Sequence, residues 1–261
     1  MSKIKTTAAL ESILSFPFQG TDWKNRFGIG VALTLANLVI PFVPAIFVAG
    51  YVLRVMRQAV RGEEPSLPPW DDWGEMALDG LRVWAINLAY LAPGLVVMLG
   101  GLVLYFAASF GLPFTMMSME EGGQQVAPLA SLLMIFGSMA IMFLSMAVGW
   151  ALSAVGGIPL PMAKAHFAAQ GKVSAAFRVR EWWPLLRDNK LGYFIAWVVI
   201  AGLFTMWYFA SMLAYYTIVL LWLAPLLGLP LGFYLSLVNA ALFGRVYRES
   251  GEAITEEMSS Q

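Results

Sequence analysis

LGYFIAWVVIAGLFTMWYFASMLAYYTIVLLWLAPLLGLPLGFYLSLVNAALFG, residues 191–244, decides the fold class. These 54 residues contain no Lys, Arg, Asp, Glu or His. A helix needs about 20 apolar residues to cross a hydrocarbon core of ~30 Å, so the stretch accommodates two crossings and a tight turn. Only helices and closed barrels satisfy their backbone hydrogen bonds inside lipid. The sequence therefore predicts a helical hairpin here, with helices over about Leu191–Ala210 and Tyr216–Phe243. Pro225, Gly228 and Pro230 predict a kink or short break in the second.

Two more stretches lack Lys and Arg: Phe27–Leu53, of 27 residues, and Val83–Ala163, of 81. The longer one predicts helices over about Leu81–Ala107 and Pro128–Gly156, joined by a loop that carries Glu120 and Glu121. All 16 cations fall between or beside the gaps. They are Lys3, Lys5, Lys24 and Arg26; then Arg54, Arg57, Arg61 and Arg82; then Lys164, Lys172, Arg178, Arg180, Arg187 and Lys190; and finally Arg245 and Arg248. If each gap crosses the membrane an even number of times, every cation lies on one side. The positive-inside tendency makes that side the cytoplasm, with both termini there, in the cell membrane.

Composition agrees. Hydrophobic residues make up 59% of the 261-residue chain and charged residues 12%, against roughly 45–50% and 25% in soluble domains. There is too little charge to cover a soluble surface. Net charge is zero, which gives no basic footprint for a nucleic-acid partner. With no cysteine, disulfides, thiolate nucleophiles, zinc–cysteine sites and iron–sulfur clusters are excluded.

The first gap reads as a hairpin. Pro41 and Pro44 stand at its middle, and proline breaks helices. A single span would also strand four cations on the far side. The predicted helices are about Trp23–Ile40 and Pro44–Val60, with Arg54 and Arg57 snorkelling. Both are short for a full crossing, and a shallow re-entrant hairpin keeps the same sidedness. The domain plan is a single membrane-embedded helical domain, 23–248. An amphipathic interfacial segment, 1–22, precedes it, with Ile4, Ala8, Ile13 and Leu14 near one face and no signal-peptide core. An acidic mobile tail, 249–261, follows. The fold class is all-α: a polytopic integral membrane bundle of about six transmembrane or membrane-embedded helices in three hairpins, with interfacial amphipathic helices over Asp71–Trp84 and Val173–Asp188. The hairpins share a loose repeat of Trp with acid or base before each apolar run. It continues with Pro44 and Gly62, Pro159 and Gly171, and Pro230 and Gly244 on the way out.

Chemistry-bearing motifs are sparse. No nucleophile elbow, phosphate loop or dinucleotide fingerprint occurs, so no catalytic or cofactor-binding residue is assigned. The central parts of the spans hold no ionisable side chain, which disfavours an ion-coupled pump. Asn37, Asn87, Ser145, Ser153, Thr205, Ser211 and Asn239 are read as bonds between helices, and Gly149–Gly157 as small-residue packing. His166, the lone histidine, is expected at the rim against surface or headgroups. The densest polar patch is the first linker. Asp71 or Asp72 is expected to cap the following helix; a metal site from Asp71, Asp72, Glu75 and Asp79 is a weak alternative. The candidate docking or lipid-headgroup face is Arg54, Arg57, Arg61, Asp71, Asp72, Trp73, Asp79, Arg178 and Arg180.

Gly50-Tyr51-Val52-Leu53-Arg54, Arg61-Gly62, Leu67-Pro68-Pro69-Trp70-Asp71-Asp72-Trp73-Gly74 and Asp79-Gly80 resemble a prokaryotic membrane family, domain of unknown function 4013. The likeness runs from about Phe16 to Tyr247. It implies a polytopic helical membrane protein and supplies no activity, substrate or cofactor. A looser resemblance, to the membrane portion of some glycerophosphodiester phosphodiesterases, carries no activity over, because this chain has no such catalytic domain.

The expectation is a non-enzymatic membrane module that binds lipid or a protein partner, a second copy included, through its cytoplasmic linkers. The alternatives are a permease or export component, with a midplane cavity at Asn37, Asn87 or Asn239, and an enzyme joining Asp72, Glu75 or Asp79 to His166.

Overall fold

The computed structural model describes residues 10–111, 128–215 and 218–259. Lys3, Lys5, Glu120 and Glu121 lie outside them. The described residues are mainly helical, with no strand among them; the longest non-helical stretch is the linker 63–72. After a helical turn over 10–15, α1, and a 3-10 turn at Phe16–Phe18 come α2, Trp23–Ala36, and α3, Val43–Arg61. Next are α4, Trp73–Phe106, which passes into a π-turn at Ala107–Gly111, and α5, Pro128–Gly157. The chain continues through α6, Leu160–Gln170; α7, Val173–Ala176; α8, Val179–Asp188; α9, Lys190–Tyr215; and α10, Ile218–Ser259. Five of these helices hold stretches long and apolar enough to cross a membrane: Val43–Arg61, Trp73–Phe110, Leu132–Gly157, Lys190–Met212 and Gly228–Glu252. The fold is an all-α membrane helical bundle.

One compact unit comprises Met1–Ile86 and Pro161–Gln261. Its axis is α10, on which α2, α3, α8 and α9 pack. Phe233 occupies the space left by Gly30 on α2 and meets the rings of Phe27 and Tyr51. α3 and α10 run in the same direction, because Ala59 lies beside Gly244 and Gly62 beside Arg248. α9 runs against α10: Tyr193 and Trp197 meet Phe243, and Trp207 meets Gly228. Ile13 and Phe16 are buried, and Tyr234 Oη donates to Leu14 O at 2.9 Å. The described part of the amino-terminal segment is thus pinned to the bundle.

The other unit, Asn87–Leu160, is an antiparallel hairpin of α4 and α5. A Cβ on Gly94 would overlap Ser153 and Gly149, one on Gly101 would overlap Ser145, and one on Gly156 would overlap the Tyr90 carbonyl. Small residues let the backbones approach where lipid supplies no hydrophobic drive between helices. The packing role expected for Gly149–Gly157 is what the structure shows.

Local chemistry fixes the helix ends. Gly62, at φ +81°, ends α3 with a Schellman pair: its N–H donates to Ala59 O, and Glu63 N–H donates to Gln58 O. Asp72 Oδ1 accepts the Glu75 N–H at 3.3 Å, which is the expected cap of α4. Three expectations shift. α2 stops at Ala36 rather than Ile40 and passes into a tight turn, in which the Leu38 N–H donates to Leu35 O and the Val39 N–H to Ala36 O. α10 is continuous through Pro225, Gly228 and Pro230, with no break. It also carries Gly244 mid-helix, so this glycine serves close packing rather than an edge, whereas Gly62 and Gly171 do take left-handed φ after helix ends. The same helix, α10, runs on to Ser259.

Exposure fits lipid as the solvent. Leu88, Val96, Val103, Leu144, Trp150 and Phe194 are among the apolar side chains left uncovered along α4, α5 and α9. Buried Asp79 and His166 belong to the unit that carries the described cations.

Candidate functional site

The first linker folds back on α3 as a clasp. Tyr51 is fully buried; its ring stacks on Trp70, with centroids 3.9 Å apart and planes 5° apart, and its hydroxyl donates to Pro68 O at 2.9 Å. Trp70 Nε1 donates to Arg26 O at 2.7 Å, and the Arg26 guanidinium donates to Leu67 O. The start of α2, the middle of α3 and the linker are thereby tied together. Trp73 stacks on Trp70 and meets Phe47 edge-on, yet remains 43% exposed.

Charge pairs close the clasp onto α4. Arg54 donates to Asp71 Oδ1 at 2.8 Å and to the Asp71 and Asp72 carbonyls, with Glu75 at 3.7 Å. Asp79 is fully buried between Arg57, which grips both of its oxygens, and Arg82 at 3.0 Å. α3 and α4 can approach this closely because a Cβ on Gly50 would overlap the Met76 carbonyl, and one on Gly80 the Ile46 carbonyl.

A second cluster joins α6, α8 and α10. His166 is 4% exposed, so it is buried rather than in contact with surface or headgroups as expected. Its Nδ1 lies 2.8 Å from Tyr247 Oη, and its Nε2 lies 3.0 Å from Glu181 Oε2 and 2.8 Å from Gln170 Nε2. Arg178 donates to Glu181 at 2.7 Å and to Gln170 Oε1 at 2.8 Å. Hydrogen bonds from His166, then Arg178 and Gln170, hold the Glu181 carboxyl down at about 2. Half-buried Lys164 on α6 has its pKa lowered to about 8 by burial. Trp182, buried on α8, donates to Ala176 O at 3.1 Å.

The nine sequence-derived face residues therefore separate. Arg54, Arg57, Asp71, Asp72 and Asp79 belong to the clasp, and Trp73 borders it. Arg178 belongs to the His166 cluster. Arg61 and Arg180 are exposed and make no hydrogen bond or ion pair with described residues. The carboxylates of the suggested metal site are instead engaged by arginines or by the helix start. Among the described residues, no three His, Asp or Glu side chains gather as a metal would need. His166 does not join Asp72, Glu75 or Asp79. Asn37 is occupied locally: its Oδ1 accepts the Ala45 N–H at 3.1 Å and its Nδ2 donates to Leu33 O at 3.3 Å. Tyr51, Trp70, Arg26 and Tyr247 escaped sequence reasoning. Tyr51 and Trp70 stand in the motifs that carry the family resemblance, which gave them no site role.

Two clefts adjoin at Arg245. One, of about 360 Å³, is polar and lined by Ser12, Gln19, Glu63, Glu64, Arg245 and Arg248 among others. The other, of about 340 Å³, is mainly apolar, formed by Leu10, Ile13, Ile195, Val199, Leu242 and Val246 with their neighbours. Arg245 is paired with Glu249 at 2.8 Å. Arg248 Nε is buried with no hydrogen-bond partner among described residues, and Glu252 stands 3.7 Å away.

Residues 33–216 match the family described as Protein of unknown function (DUF4013). The chain belongs to that family. The match takes in the clasp from α3 onward and the Arg178–Glu181 segment, and it ends just before α10, short of the Phe16–Tyr247 likeness read from the sequence. DUF4013 membership carries no activity with it. No curated protein and no solved structure matches the chain.

Proposed function

We propose that this DUF4013 protein is a non-enzymatic, multi-pass module of the cell membrane, with both termini in the cytoplasm, that binds phospholipid at its charged end. The cation pattern supports the orientation. Contacts link the clusters: Gly62 lies beside Arg248, Tyr247 beside His166, and His166 beside Glu181 and Arg178. Cations far apart in sequence thus share one end of the bundle.

The observation that carries lipid binding is the meeting of a polar and an apolar cleft at Arg245. An amphipathic ligand fits that pair: an acyl chain along Ile195, Val199 and Leu242, and a headgroup among Arg248, Glu63 and Glu64. A headgroup phosphate would give the Arg248 guanidinium, whose Nε makes no hydrogen bond and faces Glu252 at 3.7 Å, a charge-assisted acceptor. Glu63 and Glu64 favour a headgroup that also carries an ammonium, such as phosphoethanolamine, over a purely anionic one. Native mass spectrometry of the purified protein titrated with phosphatidylethanolamine or phosphatidylglycerol tests this. Retention of phosphatidylethanolamine, reduced about tenfold by Arg248→Gln as expected for loss of a charged hydrogen bond, supports it. Equal retention by wild type and variant counts against it. Arg61 and Arg180 remain free for a protein partner, which would appear in the same spectra as a stoichiometric companion.

A further inference from the structure

α2 has 14 residues and α3 has 19. At ~1.5 Å per residue they are about 21 and 28 Å long, against a hydrocarbon core of ~30 Å. The charged parts of both helices sit at the clasp, where Arg26 and Arg54 bind the same linker. Beyond them, the uncharged runs Phe27–Ala36 and Val43–Leu53 are 10 and 11 residues, or about 15 and 16 Å. α10 gives an internal ruler. With Gly62 beside Arg248 and the helices running the same way, Ile218–Arg248 has 31 residues and Val43–Gly62 has 20. α10 therefore continues roughly 16 Å past the start of α3.

The turn has the chemistry of a buried tip. Leu38, Val39, Ile40, Phe42 and Val43 are 52–82% exposed, and no charged residue accompanies them. A turn emerging into outer water has no use for five bare apolar side chains. All but one of the tip's backbone N–H groups, that of Phe42, are also provided for without water. The N–H groups of Leu38, Val39 and Ile40 donate to Leu35 or Ala36 carbonyls, Val43 donates to Pro41 O and Ile46 to Phe42 O, all within 2.8–3.1 Å. Ala45 donates to Asn37 Oδ1, and Pro41 and Pro44 have no N–H to satisfy. Lipid imposes this self-sufficiency on a backbone. It also engages the first amides of α3, leaving no anion site at that helix start.

We propose that α2 and α3 form a re-entrant hairpin that enters one leaflet from the charged end and turns back inside the hydrocarbon, its tip at Leu38–Val43 covered by acyl chains. α4, α5, α9 and α10 then supply four full crossings, an even number that returns both termini to one side without a crossing by the hairpin. The inference does not depend on the headgroup site or on which leaflet faces the cytoplasm.

The cysteine-free chain makes the test direct. Val39→Cys, Leu38→Cys and Ile40→Cys are each reconstituted as full-length protein in phosphatidylethanolamine–phosphatidylglycerol vesicles, beside Ser66→Cys in the linker. A membrane-impermeant maleimide is supplied on both faces, so orientation in the vesicle does not matter. The tip cysteines should react at least about tenfold more slowly than Ser66→Cys in the bilayer and become reactive on denaturation, because hydrocarbon excludes the polar reagent. A spin label at Val39→Cys should collide more often with oxygen than with a polar nickel complex. Tip labelling as fast as at Ser66→Cys overturns the proposal, as does dipolar broadening showing that a second copy covers the tip. The three positions serve as replacements for one another if one variant does not fold.

Discussion

Tyr51 and Trp70, 19 positions apart, lie face to face with ring centroids 3.9 Å apart, and so bind the middle of α3 to the linker that follows it. The Tyr51 hydroxyl finds its acceptor in the Pro68 carbonyl, so the buried ring carries no unsatisfied polar atom. Replacing Tyr51 or Trp70 with Ala should cost about 3–5 kcal/mol, the range for large aromatic truncations in a packed interior. Tyr51→Phe should cost only about 1 kcal/mol, the net worth of one hydrogen bond plus some desolvation relief. Chemical denaturation in a mild detergent measures both. Equal losses in Tyr51→Ala and Tyr51→Phe would assign the stabilisation to the hydroxyl instead of the stack.

Asp79 is the buried charge on which the clasp closes. Asp79→Asn should destabilise by about 3–5 kcal/mol, because it leaves Arg57 and Arg82 uncompensated. Removing both sides of the main pair, as in Asp79→Leu with Arg57→Met, should recover a substantial part of that loss. Thermal unfolding of the two variants decides: a double variant no better than Asp79→Asn contradicts this role.

These pairings show where sequence reading stops. The spans, the Asp72 cap and the small-residue face of Gly149–Gly157 were legible, because apolar length, a carboxylate before a helix and a run of glycines act locally. The burial of His166 was not, since its partners Tyr247 and Glu181 stand 81 and 15 residues away. The stacking of Tyr51 on Trp70 was hidden for the same reason. Arg54, Arg57 and Asp79 read as a surface face because charge runs usually meet solvent. Only the close approach allowed by Gly50 and Gly80 turns them inward.

Gly62 has φ +81° and faces the Arg248 side chain, into which a Cβ would project. Gly62→Ala should cost about 1 kcal/mol or more from backbone strain alone, and should also displace Arg248 from the polar cleft. The check is a lowered Tm together with reduced lipid retention. Lowered Tm with unchanged retention would detach Arg248 from the headgroup.

Glu181 sets a pH dependence. Its carboxyl ordinarily titrates at 4.5, and the hydrogen bond from His166, followed by those from Arg178 and Gln170, holds it at about 2 in the folded protein. A folded pKa below the unfolded one means that the native state holds the carboxylate form more firmly. That contribution is complete above pH 4.5 and is lost as pH falls through about 2. Between those values the Tm of the wild type should fall more steeply than that of Glu181→Gln. Parallel Tm profiles would show that the carboxylate adds nothing.

The proposed orientation puts the cations at the cytoplasmic face, and Ser66, exposed in the clasp linker, reports on it directly. In intact cells producing the Ser66→Cys chain, an impermeant maleimide applied from outside should leave the residue unmodified until the cells are broken open. Modification before lysis would place the arginine clasp outside the cell and contradict the account.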